Sequence, residues 1–137
     1  MKPALLGLLL LTACGLCQAQ GAEDQGLPLV GDPERGRLVF GPCRTCHYPD
    51  AAMGHNNGPN LHRIFGKVAG KQSGFDYYSE TFRQAQFVWT PKLMYVWLEN
   101  PMAMFPGSSM MSLGVPDPQR RADLIEFLKR ASVREAQ

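Results

Sequence analysis

Net charge is nearly absent from this chain: 14 lysines and arginines stand against 12 aspartates and glutamates, a formal +2 over 137 residues. Removal of Lys2 with the leader described below lowers it by one. No basic run or stripe stands out, so nucleic acid is excluded as a partner. Long apolar runs are lacking as well. Beyond residue 19 nothing approaches the roughly 20 apolar residues that cross a bilayer. Neither the alternation of half-buried strands nor an internal repeat is present. Cysteine is scarce: there are four, and two of them, Cys14 and Cys17, lie in the N-terminal segment. The remaining closely spaced pair is too little for a disulfide framework.

What is present begins at the N-terminus. Met1 and Lys2 give a short positive start, Leu5 to Leu11 an apolar run, and Cys17-Gln18-Ala19 a small-x-small cleavage site. We read residues 1–19 as a cleaved signal peptide, 20–30 as a flexible leader and 31–137 as one domain. The competing reading is a buried N-terminal helix, against which stand the lack of polar residues in the run and the polar stretch that follows it. Leu11-Thr12-Ala13-Cys14 resembles a lipoprotein box, in which lipidated Cys14 would begin the mature chain. Export to the periplasm is therefore expected, with a membrane as partner only if Cys14 is lipidated.

Within the domain the pattern is all-α. Pro33 to Phe40 reads as a short helix capped by Gly31 or Asp32 and closed by Gly41-Pro42. Cys43 to Asn60 reads as loop, Leu61 to Phe65 as a turn of irregular helix, and Tyr78 to Gln84 as a weak helix begun by Ser79. Thr90 caps a firmer helix from Pro91 to Glu99, with Leu93, Met94, Trp97 and Leu98 as its apolar stripe. Asn100-Pro101 ends it, and Met102 to Val115 reads as loop. A last helix starts at Asp117-Pro118, with Leu124, Ile125, Phe127, Leu128 and Ala131 facing inward and Arg120, Arg121, Asp123, Glu126, Lys129 and Arg130 facing water. Loops this long need something to organise them. A large apolar cofactor would do so and add the buried area that so small a core lacks.

Cys43-Arg44-Thr45-Cys46-His47 supplies the means to hold one, because C-x-x-C-H is the attachment sequence for haem c. Two thiols at this spacing form thioethers to two vinyl groups of one porphyrin, and the tether holds the histidine against the iron. A zinc site lacks a second ligand pair, and a thioredoxin-like redox motif lacks its strand and helix pattern. The first C-x-x-C, Cys14 to Cys17, is followed by Gln18 and has no such use. Electron transfer needs a sixth ligand, for which Met110 in Pro106-Gly107-Ser108-Ser109-Met110 is the best candidate and Met111 its nearest rival.

Taken in order, these motifs make the domain resemble class I cytochrome c of the mitochondrial and bacterial c2-like type. Gly36 and Phe40 match its first helix, Gly58-Pro59-Asn60-Leu61 its G-P-N-L turn, Trp89 its inner tryptophan, and Leu124 and Phe127 its last helix. Pro106, Gly107 and Met110 match P-G-x-x-M, whose methionine is the distal ligand. The resemblance implies one covalent haem c on Cys43 and Cys46, with His47 and Met110 as axial ligands of the iron. It further implies that the Pro59 carbonyl orients His47 and that Tyr78, Trp89 and Lys67 reach a propionate. His55 and His62 then take structural roles. Three departures stand out: Phe40 lies one residue closer to the first cysteine than is usual, Trp97 replaces a tyrosine near the methionine sulfur, and Met102 to Phe105 is apolar where charge is common.

By this resemblance the protein is no enzyme. It is expected to be a monomeric one-electron carrier between periplasmic redox proteins, with the Met102 to Phe105 loop near the exposed haem edge. Two alternatives remain: a dedicated haem subunit of a periplasmic dehydrogenase, and a ligand-binding or peroxidatic haem protein with an open sixth position.

Overall fold

A computed structural model describes residues 27–131. The expected signal peptide, the Cys14 site, the expected leader up to residue 26 and residues 132–137 lie outside the described residues. The architecture is all-α: α1 (Pro33–Val39), α2 (Glu80–Arg83), α3 (Pro91–Glu99), α4 (Pro101–Met104) and α5 (Pro118–Ala131), with 3-10 turns at Gly41–Thr45 and Ala51–Met53. Among the described residues the nearest thing to a sheet is one antiparallel bridge between Val68 and Val88.

Local chemistry accounts for where the longer helices begin. Asp32 caps α1 by accepting the Arg35 N–H at 2.8 Å, and Pro33 follows in the first turn, where its missing N–H costs nothing. Thr90 caps α3 in the same way, accepting from Leu93 N–H at 3.1 Å, again with a proline after it. Asn100-Pro101 ends α3 as expected, yet the same pair also begins α4. The Asn100 side chain accepts the Ala103 N–H at 3.1 Å, so a signal that stops one helix starts another. Gly41-Pro42 likewise leads straight into a 3-10 turn that carries Cys43. No helix forms over Leu61 to Phe65, which are successive turns, and the Ser79 hydroxyl is buried without a partner instead of capping α2.

The core is built where α1 crosses α5. Phe40 and Phe127 meet with ring centroids 5.2 Å apart, and Leu124, Ile125 and Leu128 of α5 are buried beside them. Backbones approach closely there: a Cβ on Gly36 would lie 2.0 Å from the Asp123 carbonyl oxygen. The apolar stripe of α3 is buried at Met94, Trp97 and Leu98, with Tyr95 added to it. Within the Met102 to Phe105 stretch, Met104 and Phe105 pack against this core, with Phe105 stacked on Phe87 at 5.3 Å, while Met102 and Ala103 stay exposed.

Two charged residues of α5 overturn the expectation that they face water, since Arg121 and Asp123 are 4% and 2% exposed. Asp123 is turned inward because donors await it. It accepts from Asp32 N–H, from Arg35 Nε and Nη2, each at 2.8 Å, and from Gln119 Nε2 at 3.0 Å. The hydrogen-bonded Arg35 guanidinium holds its carboxyl down at about 2. An unfolded aspartate titrates near 3.9, so this lock is fully present above about pH 4 and is lost as pH falls toward 2. Its loss should cost about 2 kcal/mol. Thermal midpoints measured from about pH 5 to pH 2 should therefore fall more steeply for the wild type than for Asp123→Asn; parallel curves would count against the lock.

Candidate functional site

The turn after α1 sets up the site. Cys43 N–H donates to Phe40 O at 2.9 Å, and Cys46 and His47 N–H both turn back to Cys43 O, at 3.1 and 2.9 Å. This tight winding brings both thiols and the imidazole to one wall of a cavity of about 660 Å³. Met110 lines the same cavity, and Trp89, Met94 and Trp97 form part of its apolar lining. No Lys, Arg, Asp or Glu is among the described lining residues.

His47 is held from two sides. Its Nδ1 lies 2.7 Å from the Pro59 carbonyl. That fixes Nδ1 as the protonated nitrogen and leaves the Nε2 lone pair free to ligate. Burial pushes its pKa down, with the bond to Pro59 working the other way, so the ring stays neutral at neutral pH. Gly58 lies flat against the ring: a Cβ there would come within 2.4 Å of Cε1. The Gly58 N–H donates to Cys46 O at 2.8 Å and Leu61 N–H to Tyr48 O at 2.8 Å, which ties this loop to the cysteine turn. Burial raises the Cys43 thiol above its usual range.

Met110 and its neighbour differ sharply. Met110 is half-buried and packs on the core, whereas Met111 is 95% exposed at the cavity rim. Tyr78 and Trp89 also line the cavity, with the Tyr78 hydroxyl hydrogen-bonded to Gln72 and its pKa pushed up by burial. Lys67 does not join them. Its Nζ donates to His62 O at 2.6 Å and Gln72 Oε1 at 3.2 Å, and the residue lines a separate open groove of about 560 Å³. Two acceptors close to its own backbone capture the ammonium group before it reaches the cavity. His55 bridges loops, accepting Asn60 N–H at Nδ1 (2.9 Å) and donating from Nε2 to Ser73 O (3.0 Å).

Sequence reasoning missed Gln72 and Ser108, which both line the cavity. Neither had a signal, because a polar residue in a polar loop carries no pattern. The chemistry of the walls suits haem. Two thiols three residues apart adjoin an imidazole, a thioether reaches the same space, and the rest is largely apolar. The buried Trp97 Nε1–H has no acceptor among the described residues, which marks a place where a polar atom of a bound group or an ordered water fits.

No family model matches the chain. It is 40% identical over 104 residues to cytochrome c of Chlamydomonas reinhardtii, covering 75% of this chain and 92% of that protein. It is 37% identical over 99 residues to cytochrome c2 of Rhodomicrobium vannielii, covering 72% and 78%. The solved structure of cytochrome cH from Methylobacterium extorquens superposes with a TM-score of 0.67 at 29% identity, over 73% of this chain and 99% of that one.

Proposed function

The chain belongs to the class I cytochrome c family, and on that premise we propose that it is a periplasmic one-electron carrier with a single haem ligated by His47 and Met110. Membership makes it an electron-transfer protein, not an enzyme, and implies covalent haem c through Cys43 and Cys46. The observation that carries the finer reading is the convergence of both thiols, the His47 imidazole and the Met110 thioether on one apolar cavity. When bound, the haem supplies an iron that gains and loses one electron. The chain does the rest. Pro59 and Gly58 fix the His47 ring, Cys43 and Cys46 tether the porphyrin, and the uncharged walls exclude water. Low polarity disfavours the more highly charged ferric state and a thioether ligand favours the ferrous one, so the potential is positive.

Export is supported by the apolar run ahead of Cys17-Gln18-Ala19 and by the haem motif, since c-type attachment takes place outside the bacterial cytoplasm. Partners are redox proteins, approaching at the cavity mouth. The lining reaches the surface at Pro42 and Thr45 and at Met111 and Leu113, all of them exposed. Contact there rests on apolar burial more than on charge. This favours, as a second reading, a haem subunit docked to one dehydrogenase.

The test is an absorption spectrum of the protein produced with its N-terminal segment in a host that attaches haem. The expected result is covalent haem with the weak near-infrared methionine-to-ferric-iron band, and slow carbon monoxide binding to the reduced form. A missing band with ready carbon monoxide binding would replace this reading with a ligand-binding or peroxidatic haem protein.

A further inference from the structure

Arg121 of α5 is buried, and its bonds leave the helix altogether. Nη1 donates to the carbonyls of Val115 at 2.9 Å and Pro116 at 2.7 Å. Nη2 lies 3.4 Å from the Glu99 carboxylate at the end of α3, and the guanidinium carbon is 4.6 Å from the centroid of the Tyr95 ring. Its Nε is buried with no partner. Sequestering a guanidinium from water is costly, and an apolar side chain would pack α5 without that cost. The residue is therefore better explained by what it gathers, which is the strap that runs from Met110 back to α5.

That strap is pinned at two places. On the near side, Ser108 is buried, its hydroxyl accepts the Met110 N–H at 3.1 Å, and its own N–H donates to Phe105 O at 3.0 Å. On the far side, Val115 N–H donates to Leu98 O at 2.7 Å, next to Gly114, whose φ of +81° and close approach to α3 admit no side chain: a Cβ there would lie 2.6 Å from Glu99 O. Between these points Met111 and Leu113 are 95% and 97% exposed, so their side chains contribute almost no packing. Arg121 closes the far anchor by holding both carbonyls that follow it.

We propose that Arg121 is a positioning residue for Met110, keeping the strap closed so that the thioether stays in the cavity and competing ligands stay out. This rests on the reading of Met110 as the axial ligand. Arg121 is not among the described residues that line the cavity, so it acts through the strap.

Imidazole added to the ferric holoprotein competes with Met110 for the sixth position, and its affinity reports how readily the strap opens. Arg121→Met removes the donors. Arg121→Lys keeps the charge but offers a point donor in place of the planar fork. Each should bind imidazole about tenfold more tightly than the wild type, equivalent to about 1.4 kcal/mol, with the near-infrared band still present before imidazole is added. Asp123→Asn, on the same helix but at the α1 contact, should lower the thermal midpoint and leave the affinity unchanged. If Arg121→Met fails to fold, Arg121→Lys decides the matter alone. Unchanged affinity in the Arg121 variants overturns the proposal, and so does an equal rise in Asp123→Asn, which would make it a property of α5 as a whole. A wild type without the band removes the ligand reading and this proposal together, whereas a band with unaltered imidazole affinity removes only the proposal.

Discussion

Met110→Ala should abolish the near-infrared band and lower the reduction potential by about 0.2 V or more, a sizeable part of the roughly 0.8 V that axial ligands span. The direction follows from ligand chemistry. A thioether is a soft, neutral donor that favours ferrous iron, whereas the water or hydroxide admitted in its place favours ferric iron. Opening the cavity also raises the local polarity and works in the same direction. Met111→Ala is the control. With 95% of that residue already exposed, its loss removes almost no buried contact and should leave band and potential where they were. Redox titration of the two variants against the wild type gives the answer, and a band lost in Met111→Ala instead would transfer the ligand role to that residue.

Gly36→Ala should cost about 3 kcal/mol or more, against a helix-propensity gain of up to about 1 kcal/mol from replacing glycine within α1. The steric term wins because the obstacle is backbone. The new Cβ would lie 2.0 Å from Asp123 O and 2.7 Å from Phe127 Cβ. Neither atom yields without moving α5 away from α1, and that separation loosens the Phe40 to Phe127 contact and the Arg35 to Asp123 pair together. For a domain of this size the thermal midpoint should drop by about 12 °C or more. Gly41→Ala, whose Cβ meets nothing within 4 Å, should barely move it. A Gly36→Ala protein as stable as the wild type would mean that the two helices separate cheaply.

The legible parts of the fold were those settled within a few residues. The starts of α1 and α3 could be read because the capping oxygens of Asp32 and Thr90 bond to backbone three residues on. α4 is not legible in this way because Asn100-Pro101 both ends α3 and starts the next helix. Tyr95 lies outside the apolar stripe that the pattern marks, yet its ring packs inside while its hydroxyl donates to Pro118 O at 3.3 Å. An amphipathic side chain can serve either face, and only the neighbouring helix decides which.

Much of the candidate site could be read for the same reason. Cys43, Cys46 and His47 are consecutive enough that one turn presents them together, and the Gly58-Pro59 segment returns to that turn through hydrogen bonds of its own. The placement of Lys67 was not legible in this way, because its Nζ is directed by the His62 carbonyl and the Gln72 side chain, which no spacing rule anticipates.

By itself, then, the sequence determined the helical periodicity, the starts of α1 and α3 and the haem-attachment motif, all of them consequences of bonds within a few residues. Tertiary structure decided which charges go inside. Asp123 and Arg121 sit at polar positions of an amphipathic helix, and they are buried because Arg35, 88 residues away, meets one and the strap beyond Met110 meets the other. For Asp123 the decision rests on pairing with a group distant along the chain, and for Arg121 on a strap outside the helix together with Glu99 and Tyr95 of α3; the local pattern of apolar and polar residues carries no record of either.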